Sequence, residues 1–528
     1  MTVKDPTVEG EGGGAVTGLF RLWRALPQRV QVALFGAAIG AAAFAVYALT
    51  AQRGISWQDS GEYQYKFLTQ AYTWDVGSGL ARLHPTYVLI TRAVAACLPF
   101  VPTPYVYALS SGLGMAVALC ALSVALYVIT QSYPAALVAA VLLGGAHMAW
   151  WLSAMTEVYT WSLAFFMLEL ACLSACLKRQ GFLWFAGVLF FNGCHFGVHN
   201  FALLNLPVYA TVFLYFFRQR AWRWGACAGV WCLGALPIIL PILRYAAESQ
   251  SVGAVAQSVL FGNFFQQKVL NLDLRHSSLW LSNMALSSCS LCNPCWLYAA
   301  FALVTVTLKR RRALTQHGFV KNAWLCGSLL ALTGIHFVFW VRYTVPDQAT
   351  FMLPTLGMLA VWAGIGAAFW VKVRWLVPVS LALAAACSVL APLTFYRVAE
   401  RYVPPRTRLL PFRNEFAYWA YPWKQQEDSA ERFVAAIAEQ TYPEGMVVWV
   451  ETTAIMPLMV AQAMGRLPAT WAFLTSWQNL PAGEIERRLR ESPNGGYVLS
   501  PVPKYAPEFV LSGAKSFERE GLLYRIVW

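Results

Sequence analysis

Two adjoining segments near the N-terminus decide the fold class: "VALFGAAIGAAAFAVYALT" at residues 32–50 and "SWQDSGEYQY" at residues 56–65. The first is an uncharged apolar run, and as a helix it is long enough to cross about 30 Å of hydrocarbon. The second places two carboxylates, Asp59 and Glu62, just beyond that run. The sequence therefore combines a membrane span with charged groups close to the membrane boundary.

The composition of the whole chain extends this interpretation. Hydrophobic residues make up 58% of the chain and charged residues 12%, whereas soluble domains average about 25% charged residues. Apolar stretches of span length recur, and we place eleven: 31–52, 106–130, 134–152, 157–177, 181–198, 200–217, 224–243, 280–307, 321–341, 350–371 and 374–395. The sequence predicts a polytopic α-helical membrane protein with about eleven transmembrane helices.

The net charge of +14 is explained by topology rather than by nucleic acid. If the N-terminus is cytoplasmic, the basic clusters that begin at Arg21, Lys178, Arg218, Lys309 and Lys372 all fall on the cytoplasmic side, as the positive-inside rule expects. The sequence has no soluble basic face interleaved with aromatic residues, so no nucleic-acid partner is expected. We predict a cytoplasmic N-terminus and a C-terminus on the outer side.

Three regions follow from these patterns. Residues 1–29 are glycine-rich and are predicted to be a disordered cytoplasmic leader. Residues 30–395 form the membrane domain, with a first outer loop at 53–105. Residues 396–528 hold 14 of the 25 acidic residues and are predicted to be an extracytoplasmic, periplasmic domain.

The C-terminal region alternates helix and strand patterns. Helical periodicity covers 427–440 and 484–492, and apolar strand patterns cover 445–452 and 495–501. This alternation predicts a small α/β domain. The region has neither a glycine-rich phosphate loop nor a nucleophile elbow, so binding or support is expected there rather than chemistry.

Acidic residues are scarce in the membrane domain. Between residues 30 and 395 there are eight: Asp59, Glu62, Asp75, Glu157, Glu169, Glu248, Asp273 and Asp347. A carboxylate near hydrocarbon is costly, so such residues are candidates for function. On the eleven-span topology only Glu169 lies within a span, where a hydrogen-bonded core carboxylate is expected, and the other seven lie at or beyond the outer face.

Other polar residues share this outer position although they are distant in sequence. They occur in "LARLHPTY" at 80–87, "MTEVYTW" at 155–161, "CHFGVHN" at 194–200 and "HFVFWVRYTVPDQATFMLP" at 336–354. We expect these segments to line one cavity. A carboxylate surrounded by Arg, His and Tyr suits deprotonation of a hydroxyl while cations hold a leaving phosphate. Outside the cytoplasm the activated donor must be membrane-borne, and a polyprenyl-phosphate sugar meets that condition.

The order "DSGEYQ", "HPTY", "TEVY", "HFGVHN" and "VPDQATFMLP" resembles a family of the GT-C glycosyltransferase superfamily. Its animal members are protein O-mannosyltransferases that act on receptor ectodomains. The resemblance covers about residues 50–370. It departs from the bacterial pattern H-P-P-G-Y-P, which is reduced to "HPTYVL" at residues 84–89, and this departure puts the acceptor in doubt.

The resemblance implies that Asp59 is the general base for a displacement with inversion at the anomeric carbon. Glu62 would orient Asp59, bind the sugar or help to hold a divalent cation. Some GT-C enzymes use a metal and others do not, so the cofactor stays open and no metal ligands are assigned. The alternative for Asp59 is a helix N-cap without chemistry.

The remaining candidates concern the donor. Arg342 and Arg82 are expected to hold the lipid phosphate, because guanidinium matches phosphate geometry; the alternative for Arg342 is snorkelling to the headgroups. His84 and Tyr87 would hydrogen-bond donor or acceptor. Four residues are expected to support these groups from behind: Glu157, Tyr159, His199 and Asp347.

The predicted function is that of an integral membrane glycosyltransferase, with mannose suggested only by the resemblance. Its partners would be a polyprenyl-phosphate sugar, a protein, lipid or glycan acceptor, and membrane lipids of a bacterial inner membrane. A transporter or flippase of lipid-linked sugars is the alternative, but the sequence shows no clear internal repeat. In a third hypothesis the C-terminal domain is the working part and the spans only anchor it. A single helix would be enough for such an anchor, so the many predicted spans and their polar loops count against this hypothesis.

Overall fold

The computed structural model is mostly helical, with one small sheet near the C-terminus. It describes residues 23–69, 79–249, 251–262, 280–307, 322–343, 345–371, 373–402, 410–478, 480–503 and 505–528. The helices of the membrane domain are α1 (Gln28–Thr50), α2 (Gln58–Thr69), α3 (Pro85–Cys97), α4 (Thr103–Thr130), α5 (Tyr133–Gly144), α6 (His147–Ser153), α7 (Tyr159–Arg179), α8 (Phe182–Phe196), α9 (Phe201–Phe216), α10 (Trp222–Ser249), α11 (Val252–Phe261), α12 (Trp280–Leu291), α13 (Leu297–Thr307), α14 (Ala323–Arg342), α15 (Leu353–Trp370) and α16 (Leu376–Tyr402). The predicted fold class is confirmed.

The number of spans is lower than predicted. Among the described residues seven helices are long and apolar enough to cross a membrane, or nine if the bent pairs α5–α6 and α12–α13 each count as one span. The other two predicted spans are α8 and α9, which have only 15 and 16 residues. At 1.5 Å per residue each reaches about 24 Å at most, less than the hydrocarbon core.

Glycine allows the first span to pack closely on the centre of the bundle. Gly36 and Gly40 of α1 face α4, where a Cβ on Gly40 would lie 2.9 Å from the Ala116 carbonyl oxygen. Small residues four apart let membrane helices approach in this way. This contact packs α1 against α4, and the segment that follows α1 carries Asp59.

The first outer loop contains two short helices. Helix α2 is followed by a 3-10 turn, Leu80–Arg82, and α3 has 13 residues, which is too few to span. The turn is tied to α11, because the Leu80 amide donates to Ser258 Oγ at 2.9 Å. Asp75 and Asp273 lie outside the described residues.

The C-terminal domain is α/β, as predicted. Its elements are α17 (Glu415–Ala420), α18 (Ser429–Ala438), β1 (Val447–Trp449), α19 (Ile455–Ala463), β2 (Ala472–Leu474), α20 (Ala482–Glu491), β3 (Tyr497–Val498), α21 (Glu508–Gly513), β4 (Ser516–Glu520) and β5 (Leu523–Val527). The strand order is β2-β1-β3-β5-β4. Strand β1 runs parallel to β2 and β3, and β5 runs antiparallel to β3 and β4.

This domain is docked on the membrane domain. The Lys424 amide donates to the Thr50 carbonyl at 2.6 Å, and Trp151 Nε1 donates to the Tyr418 carbonyl at 3.1 Å. One apolar core runs from the membrane helices through Trp57 into the C-terminal domain. The loop that carries Asp59 is therefore enclosed between the two domains.

Candidate active site

Helix α2 presents both predicted catalytic carboxylates to one cation. Arg82 Nη2 lies 2.8 Å from Glu62 Oε2 and 3.9 Å from Asp59 Oδ1. Residues three apart on a helix share a face, so the expectation that Asp59 and Glu62 point the same way is confirmed. The helix begins at Gln58, which places Asp59 inside the first turn, so the N-cap interpretation is wrong.

Glu62 is held in its charged form by two cations. Lys66 Nζ lies 2.5 Å from Glu62 Oε1, and Arg82 occupies the other oxygen. Burial alone would raise the pKa of Glu62, but Lys66 and Arg82 outweigh it and lower the pKa to about 2. Sequence reasoning missed Lys66, although an acid and a lysine four residues apart on a helix are a readable signal.

Asp59 is the accessible member of the pair. Its side chain is 53% exposed, against 12% for Glu62. Desolvation by the surrounding protein raises the pKa of the Asp59 carboxyl. The Arg82 charge opposes this rise, and the Glu62 charge adds to it. An accessible carboxylate with a raised pKa is suited to accept a proton.

Glu157 lies behind Asp59. It sits in the turn between α6 and α7, where Ser111 Oγ accepts from its amide at 2.8 Å. Ser60 Oγ of α2 donates to Glu157 Oε1 at 2.8 Å. Burial, followed by the Asp59 charge, raises the pKa of Glu157 well above its ordinary range. Glu157 thus supports helix α2 through Ser60, a contact that sequence reasoning missed.

His84 is fixed in one neutral tautomer. Its Nδ1 lies 2.6 Å from the Val198 carbonyl oxygen, so Nδ1 carries the hydrogen and Nε2 is left to accept. Burial and the Lys66 charge lower the pKa of His84 to about 3. Its backbone is left-handed, with φ of 49°, and Pro85 starts α3 directly after it.

A continuous series of ring contacts joins the four predicted segments. His84 stacks on His199 with centroids 5.7 Å apart, and His199 contacts Tyr159 at 5.5 Å. Tyr159 contacts Phe351 at 5.4 Å, and Phe351 contacts Tyr343 at 4.7 Å. The expectation that these distant segments converge is confirmed.

Asp347 and Arg342 flank Tyr343 at the end of α14. Burial and the nearby Asp59 charge raise the pKa of Asp347 to about 6. Arg342 and Tyr343 line a cavity of about 400 Å³ between α9 and α14, and a second cavity of about 410 Å³ shares Ile335 with it. Because these neighbouring cavities share Ile335, we treat them as one surface, which we call the α9–α14 groove.

The α9–α14 groove is mostly apolar and follows the whole length of α14. Its lining runs from Ala323 to Tyr343 on α14 and from Leu204 to Val212 on α9. Twenty helical residues extend about 30 Å, which is the thickness of the hydrocarbon core. The groove therefore offers an apolar path that ends at a guanidinium.

Tyr87 does not face this open space. Its side chain is fully buried against Tyr63 and Phe67, with ring centroids 5.3 and 5.5 Å away. Tyr63 in turn contacts His84 at 5.8 Å. This placement favours support of the Tyr63 ring over the predicted hydrogen bond to donor or acceptor.

A second polar cluster lies inside the helix bundle around the buried Glu169. Four groups surround its carboxylate: His195 Nδ1 at 2.7 Å, Tyr209 OH at 2.6 Å, Asn205 Nδ2 at 2.8 Å and Asn192 Nδ2 at 3.3 Å. We call these five residues the Glu169 cluster. The carboxylate is satisfied on both oxygens, as expected for a core residue.

The described His, Cys, Asp and Glu side chains do not cluster as metal ligands would. Within the part of the chain that the structure describes, no group of three or more His, Cys, Asp and Glu side chains could hold a metal ion. His195 and His199 diverge, the first toward Glu169 and the second toward His84.

Comparison with known proteins supports the fold. No protein-family model matches the chain, and a search of curated proteins finds no significant match. ArnT from Cupriavidus metallidurans bound to undecaprenyl phosphate is similar in structure, with a TM-score of 0.55 at 13% identity over 97% of this chain and 98% of that chain. The apo state of ArnT gives a TM-score of 0.53 at 14% identity over the same shares. The chain therefore shares its overall fold with ArnT.

Proposed function

We propose that this chain is a membrane glycosyltransferase that moves a sugar from a polyprenyl phosphate to an acceptor hydroxyl. One observation carries the proposal: the accessible carboxylate of Asp59 lies beside Arg82, and the ring contacts from His84 to Tyr343 lead from this region to the end of an apolar groove. The undecaprenyl phosphate in the similar ArnT structure supports the choice of lipid donor.

In the proposed reaction, Asp59 accepts the proton of the acceptor hydroxyl. The oxygen then attacks the anomeric carbon from the face opposite the phosphate, which leaves with the bonding electrons, so the configuration inverts. Glu62 stays ionised and holds Arg82 in place at 2.8 Å. His84 offers Nε2 as an acceptor for a sugar or acceptor hydroxyl.

Two guanidinium groups serve the donor in this scheme. Arg342 takes the phosphate where the α9–α14 groove ends, while the isoprenoid chain lies along the apolar lining. Arg82 is already paired with Glu62, so it would stabilise charge that develops during transfer rather than anchor the lipid. Arg342 is assigned the donor phosphate because it lines the end of the apolar groove.

The identity of donor and acceptor follows the family resemblance. Mannose and a protein hydroxyl are the first substrates to test, with lipid and glycan acceptors next. We propose the same setting as the charge pattern predicts: a bacterial inner membrane, a cytoplasmic N-terminus, and residues 396–528 on the periplasmic side. A protease-sensitive tag at the C-terminus, cut in intact spheroplasts, tests this orientation.

A flippase remains the second candidate because the α9–α14 groove is as long as the membrane is thick. A headgroup that crosses along it would need polar groups, and the lining is mostly apolar. The polar residues in that lining are Thr211, Ser328, Tyr343 and Arg342, whereas the side chains of the Glu169 cluster are buried and bonded to one another. The enzyme is therefore favoured.

The test is sugar transfer in proteoliposomes with radiolabelled polyprenyl-phosphate mannose and other hexoses. Asp59→Asn keeps shape but removes the base, and turnover should fall by roughly 10²- to 10⁴-fold. Glu248→Gln is the matched control, because that carboxylate is 56% exposed and forms a surface ion pair with Arg244 at 2.9 Å. Turnover of Asp59→Asn within threefold of wild type would overturn the assignment.

A further inference from the structure

The helix that carries Asp59 is pressed against the C-terminal domain. Gly61 of α2 lies against Met456 of α19, where a Cβ on Gly61 would stand 2.8 Å from Met456 Cβ and 2.4 Å from the Ser56 carbonyl oxygen. No side chain fits there. The glycine between the two carboxylates is therefore required both by the local turn at Ser56 and by the approach of α19.

The residues before Asp59 are held by α18 of the same domain. Trp57 is fully buried; its Nε1 donates to Ser429 Oγ at 2.8 Å, and its ring stacks on Phe433 at 5.2 Å. The Ile55 amide donates to Glu431 Oε1 at 2.8 Å. Each of these contacts fixes the chain within four residues of Asp59.

The backbone at this point needs such support. Gln58, directly before Asp59, has a φ of 53°, a left-handed conformation that is unfavourable for a residue with a side chain. Such a conformation persists where the surroundings fix it. The contacts of Trp57 on one side and Gly61 on the other are those surroundings.

We propose that the C-terminal domain is a positioning element, in which α18 and α19 hold residues 55–61 so that Asp59 meets its substrate. This role rests on the proposed function of Asp59. It differs from general support of the fold, because the contacts are concentrated on the residues that flank Asp59 and continue with the Lys424–Thr50 bond at the end of α1.

Ser429→Ala tests the proposal in the full-length protein. It leaves the buried Trp57 Nε1 without its acceptor, which should destabilise the segment around Trp57. Ser512→Ala is the control: this hydroxyl, in α21 of the same domain, is exposed and bonds to the Glu508 carbonyl of its own helix at 2.9 Å. Met456→Ala, which keeps the Cβ beside Gly61 but removes the rest of this buried side chain from the core, is the second variant.

The first readout is hydrogen exchange of amides 55–69 in nanodiscs without substrate. Exchange should become roughly tenfold faster in Ser429→Ala and Met456→Ala, and stay unchanged in Ser512→Ala. Unchanged exchange in both variants would overturn the proposal whether or not the protein transfers sugar.

The second readout is transfer kinetics. Displacing the base should lower kcat by roughly tenfold and leave the KM for the lipid donor unchanged. Faster exchange with an unchanged kcat would overturn the positioning role and leave the glycosyltransferase assignment intact. Absence of transfer in wild type would instead overturn the proposed function, and with it the role given to Asp59, while the exchange result would still show whether α2 is held.

Discussion

Two carboxylates of the membrane domain, Asp59 and Glu169, lie in opposite electrostatic settings. Glu169 is buried, and four polar groups surround it. Asp59 is half exposed, with one cation at 3.9 Å and the Glu62 charge on the same helix face. A carboxylate with hydrogen bonds to both oxygens stabilises the fold. A carboxylate whose charge is only partly neutralised by its neighbours does not, so its presence points to another role. The contrast distinguishes a structural acid, Glu169, from Asp59, the acid to which we propose a functional role.

The largest expected effect concerns the structural acid. Glu169→Ala leaves Tyr209, Asn205 and His195 without their acceptor, and we expect it to lower the free energy of unfolding by about 3 kcal/mol. Thermal unfolding in detergent measures this, with Glu491→Ala on the exposed face of α20 as control. Turnover per folded molecule should stay near wild type; a stable but inactive variant would place Glu169 in the reaction.

Donor binding should be next in size. Arg342→Ala removes a charge-assisted hydrogen bond to phosphate, and the KM for the lipid donor should rise by roughly 10- to 100-fold. Arg244→Ala, at the exposed end of α10, should leave the KM unchanged. If Arg342 only snorkels to the headgroups, both variants will keep the wild-type KM.

A smaller effect is expected on the free energy of unfolding when Asp59 is replaced. The pKa of Asp59 is raised in the folded chain, so its ionisation opposes folding once the pH rises through that pKa. Asp59→Asn should therefore increase the free energy of unfolding at pH 7.5, by no more than about 1 kcal/mol because solvent screens a half-exposed group. The gain should vanish below about pH 4; a loss of stability at pH 7.5 would contradict this setting.

The smallest expected effect comes from changing the two charged residues beside Asp59, Glu62 and Arg82. The Glu62 charge raises the pKa of Asp59 and the Arg82 charge lowers it. Glu62→Gln should move the acidic limb of kcat/KM to lower pH, and Arg82→Gln should move it to higher pH, each by up to about one unit. Shifts in the same direction would mean that another group controls the acidic limb.

Much of the fold was readable from sequence because apolar length and hydrophobic periodicity are local signals. The spans with long apolar runs, such as α4, and the C-terminal helices and strands appear where their patterns predict. The count failed at α8 and α9, because a hairpin of two short helices has the composition of two spans but not their length.

The candidate site was only partly readable. The predicted topology gives its segments the same depth in the membrane, so the convergence of His84, Tyr159 and Tyr343 could be predicted. The contacts of Trp57 with Ser429 and of Gly61 with Met456 join residues nearly 400 positions apart, and no local pattern encodes such a pairing. The burial of Tyr87 likewise depends on neighbours that only the fold supplies.

The most direct test of the central claim is a cryo-electron microscopy structure of Asp59→Asn in nanodiscs with a polyprenyl-phosphate sugar. We predict that the lipid lies in the α9–α14 groove, that its phosphate contacts Arg342, and that the anomeric carbon faces the residue 59 side chain. A lipid bound elsewhere, or a sugar separated from residue 59 by a closed wall of side chains, would contradict the account.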